Sequence, residues 1–169
     1  MGREAGTKNR TTVEARSERE IVVTRTFDAP ARLVFEAWTT PALFRRWWIP
    51  KSMPLPLISY EADIRTGGSY RLVFRVDDTK TMAFFGTYVE VTPHSRIVWT
   101  NDESGEDGAV TTVTLEERGE RTLLVLHELY RSKEARDAAL ASGAYDGMAE
   151  TFEQLDEVLV SLAAGAGSA

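Results

Sequence analysis

An α+β fold, with a curved antiparallel sheet of about seven strands wrapped around one long C-terminal helix, is predicted by three features of the sequence. Tyr145, Met148, Phe152, Leu155, Leu159 and Leu162 recur at intervals of 3, 4, 3, 4 and 3. That is a single apolar stripe, suited to a helix lying on a sheet. Between residues 57 and 129 the apolar period changes to two, with turn residues at strand-like spacing. Two short helical segments separate these strands from a first one, and runs of strands flanked by helices belong to the α+β class.

Each element follows from its residues. Residues 1–19 mix Arg3, Lys8, Arg10, Arg16 and Arg19 with Glu4, Glu14 and Glu18, with almost nothing apolar to bury. They are expected to be a disordered extension. Residues 20–27 (EIVVTRTF) are rich in β-branched side chains and stop at Asp28-Ala29-Pro30, which reads as a strand and a turn. Asp28 is placed to cap the helix that follows, Pro30 suits a first helical turn, and Val34 and Trp38 share one face of residues 31–38. Thr40-Pro41 ends that helix and opens a shorter one through Arg46. Trp47-Trp48-Ile49-Pro50 then leads into a segment with Pro54 and Pro56, which neither a helix nor a central strand accepts, so a loop is expected.

Strands are expected over 57–64, 69–76, 82–91, 96–100, 109–117 and 122–129, and their short connections imply antiparallel pairing. Ser132 can cap a helix, Ser142-Gly143 marks a bend, and the striped helix runs beyond it. Residues 163–169, all Ala, Gly and Ser, look like a flexible tail. The organisation is one domain over 20–162 between two extensions.

Composition narrows the function classes. The 169 residues hold 20 Lys+Arg against 26 Asp+Glu, a net charge of −6, with 43% hydrophobic and 27% charged residues. This is globular composition with no basic surface for phosphate attraction, so nucleic acid is not an expected partner. There is no Cys, and only His94 and His127. Disulfides, thiolate nucleophiles and Cys metal sites are therefore excluded, a structural zinc site is not expected, and no metal or cofactor is expected. No stretch has the apolar length of a membrane span and the first twenty residues lack a secretory apolar block, so a cytoplasmic protein without membrane insertion is expected.

The run Phe27-Asp28-Ala29-Pro30, Val34-Phe35 and Trp38-Thr39 resembles the opening of the START-like, or SRPBCC, superfamily, which includes proteins similar to the birch-pollen allergen and to polyketide cyclases. Trp47-Trp48 before a Pro, Asp63 and Arg65 ahead of Gly67-Gly68-x-Tyr70-Arg71, Gly86-x-Tyr88-x-Glu90-Val91-x-Pro93 and Arg96-Ile97-Val98 are similar to one branch of it. That branch is named for the activator of the ninety-kilodalton heat-shock chaperone ATPase. Arg136-Asp137, Ser142-Gly143, Gly147-Met148 and Leu155-Asp156 resemble its bacterial members, and the likeness spans residues 20–162. The resemblance implies a helix-grip fold with a deep apolar cavity. It does not carry ATPase activation over, because the eukaryotic activator has an additional chaperone-binding domain that this reading does not include.

Catalytic chemistry has little support in the pattern. His127 and Glu128 are adjacent on one strand and point to opposite faces, so they form no dyad. His94 follows Pro93 in a turn and reads as a surface residue. Nucleophile-elbow, phosphate-loop and paired-histidine motifs are missing, and Gly67-Gly68 reads as a tight turn. The acidic segment Asp102, Glu103, Glu106, Asp107 lacks the spacing of a calcium loop and reads as a solvated hairpin connection. No catalytic residue is assigned.

Aromatic residues carry more. Alternation sets Tyr70, Leu72, Phe74 and Val76 on the face toward the helix, with Trp99, Val113 and Leu115 facing Met148 and Phe152. Tyr60, Tyr70, Tyr88 and Tyr145 bring hydroxyls that need partners when buried, and a few polar groups in an apolar hollow orient a ligand. Adjacent helical side chains diverge by about 100°. Trp47 is therefore expected between the short helices and the sheet, and Trp48 at a cavity mouth with Ile49, Pro50 and Met53 as a gate.

The cavity set is Trp48, Met53, Tyr60, Tyr70, Leu72, Phe74, Trp99, Val113, Tyr145, Met148 and Phe152. The expected function is binding of a small hydrophobic molecule there. The alternatives are an enzyme acting on a hydrophobic carbonyl compound through groups such as Tyr70 or Glu128, and a ligand-free interaction or stress-response module. Apolar residues on both faces of the last strand require either cover by the N-terminal segment or a homodimer.

Overall fold

The structure, a computed structural model, describes residues 9–168. Its strands are β1 (Thr12–Ala15), β2 (Glu20–Phe27), β3 (Leu57–Ala62), β4 (Ser69–Arg75), β5 (Thr81–Thr92), β6 (Arg96–Thr100), β7 (Val110–Arg118) and β8 (Arg121–Leu129). The helices are α1 (Ala31–Thr39), α2 (Pro41–Trp47), α3 (Lys133–Ala141) and α4 (Met148–Ser168). All eight strands pair antiparallel in the order β1-β2-β8-β7-β6-β5-β4-β3. No helix of the described residues is long and apolar enough to cross a membrane.

The expected α+β class and curved antiparallel sheet are present, with one strand more than anticipated. Within the segment expected to be disordered, Thr12–Ala15 forms β1 and pairs with β2 in the register Thr12↔Thr24 to Ala15↔Ile21. Backbone hydrogen bonds to the β2 edge need no apolar side chains, and this is why charge content misled there. Residues 1–8 of that extension lie outside the described residues. β1 lengthens the sheet beyond β2 and does not itself lie over the outer face of β8, where Leu129 is 38% exposed among the described residues. The expected flexible tail is also corrected through residue 168. α4 continues there because alanine, the strongest helix former, outweighs the ~1 kcal/mol cost of each glycine.

Inward positions of β2 are filled by Ile21, Val23 and Phe27, all at 0% exposure, and those of β8 by Leu124 and Leu126. Ile21↔Glu128 and Val23↔Leu126 fix the pairing that sets Glu128 on the inner face beside these core residues. Asp28 does not cap α1. Its carboxylate takes Asn9 Nδ2 at 2.7 Å and Arg121 Nε at 3.1 Å, and Glu117 from β7 accepts the Ala31 amide at 2.8 Å instead. Ser132 caps α3 as expected, its Oγ accepting from Ala135 N at 3.1 Å.

Gly68 and Gly86 hold the sheet where it curves. A Cβ on Gly68 would sit 1.9 Å from the Asp63 carbonyl oxygen, and one on Gly86 would sit 2.0 Å from that of Thr100 and 3.0 Å from the Tyr70 ring. The second approach brings β5, β6 and the Tyr70 ring together at one wall of the interior.

Candidate functional site

Between the sheet, α1, α2, α3, α4 and the loop after α2 lies a cavity of about 740 Å³. Period-two placement on β3 to β6 turns Tyr60, Tyr70, Leu72, Phe74, Phe84, Tyr88, Ile97 and Trp99 into it. Trp38 and Phe44 enter from the short helices, and Ala135, Ala138 and Ala139 of α3 keep the wall there thin.

Of the residues anticipated from sequence, Trp48, Met53, Tyr60, Tyr70, Leu72, Phe74, Trp99 and Met148 line this space. Val113, Tyr145 and Phe152 do not, and each is corrected for a different physical reason. Val113 faces inward at 0% exposure, but β7 lies under α1, which fills the volume above it. Phe152 turns away from the cavity to pack edge-on to Phe27 at 5.4 Å and against Trp47 at 6.4 Å. Tyr145, in the turn before α4, stands behind the wall and reaches it only through its hydroxyl.

Trp47 and Trp48 separate as adjacent helical side chains do. Trp47 is fully buried, its Nε1 donating to Ala37 O at 3.0 Å and its ring 4.7 Å from Trp38. It packs among Trp38 and Phe44 of the short helices and Phe152 of α4. Trp48 is half-buried, stacked 5.1 Å from Phe44, and lines the cavity together with Ile49, Pro50 and Met53. The loop is tied to α4 by Glu150, which accepts from Ser52 N at 3.0 Å and Ser52 Oγ at 2.5 Å.

A polar floor closes the other side. Glu128 Oε2 accepts from Thr111 Oγ1 at 2.6 Å and Oε1 from the Tyr145 hydroxyl at 2.8 Å, while Tyr145 and Tyr130 hydroxyls meet at 2.6 Å. Asn101 Nδ2 donates to Thr111 Oγ1 at 2.9 Å and to Ala109 O at 2.8 Å, and the Tyr70 hydroxyl donates to Thr100 O at 2.8 Å. Burial pushes the Glu128 carboxyl above the ordinary glutamate range, a rise that its two hydrogen bonds partly offset and the nearby Glu103 charge reinforces. Burial likewise lifts Tyr60 to about 12, and raises Tyr70 further with help from Glu103. Such a carboxyl holds its proton more readily than an exposed one and, once ionised, can accept a hydrogen bond from a buried ligand.

His127, one residue away on the opposite face, contacts Glu20 at 2.6 Å and takes no part. His94 is exposed in its turn, at φ 66°, with its ring 5.5 Å from Phe35.

Sequence reasoning missed the contributions of residues 101–108. This segment is not only a solvated connection. Asp102–Asp107 winds as a 3₁₀ turn that brings Asn101 and Glu103 to the cavity, with Glu103 Oε1 accepting from Phe85 N at 3.1 Å. Nothing in a run of acidic and glycine residues announces that one of them faces inward. Glu128, by contrast, stood at an inward position of an alternating strand. No group of His, Cys, Asp and Glu among the described residues could hold a metal ion.

Comparison with known proteins places the chain. The family described as Activator of Hsp90 ATPase homolog 1-like protein matches residues 28–160. A protein from Rhodobacter sphaeroides superposes with a TM-score of 0.79 at 24% identity, covering 90% of this chain and 99% of its own. One from Nitrosomonas europaea gives 0.76 at 22% identity, covering 88% and 98%. CalU16 from Micromonospora echinospora gives 0.62 at 21% identity, covering 89% and 75%. At these identities the likeness shows the fold. No curated protein matches the chain.

Proposed function

The chain belongs to the family of Activator of Hsp90 ATPase homolog 1-like proteins, and from that premise we propose that it binds a small hydrophobic molecule in its internal cavity. The observation that carries this reading is the cavity itself. At about 740 Å³ it falls inside the ~300 to 1,000 Å³ range of small-molecule sites. Its wall is mostly aromatic and aliphatic, and a few polar groups gather at one side, the arrangement that fixes a ligand's orientation. A protein serving only as an interaction module has no use for such a void, because empty apolar volume costs stability.

Trp48, Ile49, Pro50 and Met53, all half-buried, form one wall of the cavity, and the loop they belong to is held to α4 by hydrogen bonds. Ligand enters when these bonds open, and the helices and sheet stay in place.

Titration with the neutral fluorophore N-phenyl-1-naphthylamine tests the reading. Saturable binding with quenching of tryptophan emission is expected, since Trp38, Trp48 and Trp99 all line the cavity. A larger neutral competitor should displace the probe. Fluorescence that rises linearly without saturation, leaving tryptophan emission unchanged, removes the proposal.

A further inference from the structure

We propose that the cavity selects a lipophilic amine, bound as its ammonium ion with the charge against Glu128 and Glu103 and the hydrocarbon body among the tryptophans. This rests on the reading that the cavity binds a ligand, and it names the ligand's chemistry.

Charge is the first argument. Glu128 and Glu103 both line the cavity, and no Lys, Arg or His is among the described residues that line it. A fatty acid or a phosphate ester would carry its anion toward two carboxyl groups with no cation to meet it. A buried charge is tolerated when it is paired, and here the missing partner is positive.

Hydrogen-bond direction is the second. Asn101 donates to Thr111 Oγ1, so the single Thr111 proton goes to Glu128 Oε2. The Tyr145 proton goes to Glu128 Oε1, so Tyr130 must donate to Tyr145. The Tyr70 proton is held by the Thr100 carbonyl. With Glu128 ionised, every polar hydrogen of the floor is thus committed inside the protein. Only lone pairs remain, on Glu128 and on Glu103 Oε2, so the ligand must bring the donors. An ammonium group brings three.

The walls fit the same ion. Trp38, Trp48 and Trp99 surround the space with Tyr60, Tyr70 and Tyr88, and ring faces attract a desolvated cation. Trp38, 2% exposed, keeps its indole Nε1 without an acceptor, and the buried Tyr60 hydroxyl also has no partner.

Three probes on one skeleton make the test: 6-phenylhexylamine, 6-phenylhexanol and 6-phenylhexanoate, each competed against N-phenyl-1-naphthylamine on the full chain. The amine is expected to bind at least tenfold tighter than the alcohol, equivalent to about 1.4 kcal/mol, and the carboxylate weakest. Glu128→Gln should abolish most of the amine's advantage over the alcohol; Glu103→Gln should reduce it less.

On the unaltered protein the amine-to-alcohol ratio should grow as pH rises through the ionisation of Glu128. The groups facing that carboxyl are Glu103, Tyr145, Tyr130, Tyr70 and Thr111, with His127 behind it on the same strand. Only carboxyl ionisation adds charge to the cavity below about pH 9, because the tyrosines are all shifted upward. If the alcohol binds but the amine gains nothing over it at any pH, the inference is overturned and the cavity reading stands. If the amine's advantage survives in both variants, the charge lies elsewhere and the inference is equally overturned. If none of the three displaces a fluorophore that itself binds saturably, the inference is overturned and the cavity reading stands on the fluorophore.

Discussion

The side-chain amide of Gln154, inside α4, donates to the backbone carbonyl of Trp47 at 3.0 Å and to that of Ile49 at 2.9 Å. Its carbonyl oxygen accepts from Lys51 N at 2.8 Å. One buried residue, 5% exposed, therefore fixes the end of α2 and the first residues of the loop onto the long helix.

Gln154→Leu keeps the volume and removes all three bonds. Each hydrogen bond is worth ~1 kcal/mol net, and carbonyls left buried without a partner add to the loss, so ~2 to 4 kcal/mol of destabilisation is expected in urea denaturation. Hydrogen exchange at the Lys51 amide should accelerate far more than at α1. A variant as stable as the parent with an unchanged Lys51 amide would remove this latch.

Trp47 and Trp48 differ in what their loss should do. Trp47→Ala empties a fully buried site among Trp38, Phe44 and Phe152 and should cost ~3 to 5 kcal/mol. Trp48→Ala opens the cavity wall, should cost less than half as much, and should weaken binding of a neutral hydrophobic probe several-fold. Thermal melts and a titration on both variants decide between the roles. Equal destabilisation with equal affinity loss would mean the two side chains act as one cluster.

The divergence of Trp47 and Trp48 was legible in the chain because a helix separates neighbours by a fixed angle, and the period of two revealed the strands that carry Tyr60, Tyr70, Leu72 and Trp99. Positions that depend on how elements lean on each other were not. Phe152 belongs to the α4 stripe, but which part of that stripe meets open space depends on where α1 and α2 dock. β1 was invisible because an edge strand held by backbone bonds needs no apolar pattern. Glu103 was hidden because the 3₁₀ turn that aims it inward is set by the β6–β7 connection.

Arg25 and Asp156 form a bidentate pair at 2.7 and 2.6 Å, joining β2 to α4, with Arg25 only 5% exposed and stacked 4.7 Å over Phe27. Asp156→Ala would strand a buried guanidinium whose Nε already has no partner. The expected loss is ~2 to 3 kcal/mol, below the full range for buried pairs because Asp156 is partly solvated. The double replacement Arg25→Met with Asp156→Leu should recover most of it. A single variant within ~0.5 kcal/mol of the parent would show the pair contributes little.

Glu20 and Glu128 predict opposite pH slopes from strands that pair side by side. Hydrogen bonds from His127, Ser17 and Arg16 hold the Glu20 carboxyl down at about 2 in the folded protein, against an ordinary 4.5. A lowered acid favours folding above its unfolded value, and that contribution fades as pH falls from 4.5 toward 2. Glu128 is shifted the other way, so its ionisation opposes folding once pH exceeds 4.5, and the penalty grows until the raised folded value is passed. Melting curves from pH 2 to 8 on the parent, Glu20→Gln and Glu128→Gln should therefore diverge in two directions. Glu20→Gln should melt below the parent at neutral pH and converge with it near pH 2. Glu128→Gln should match the parent in acid and melt above it at neutral pH, because its amide has no proton to lose. A Glu128→Gln protein that melts below the parent at every pH would mean that the Thr111 and Tyr145 bonds to the carboxylate outweigh its burial. In that case the polar floor stabilises the fold even when no ligand supplies a countercharge.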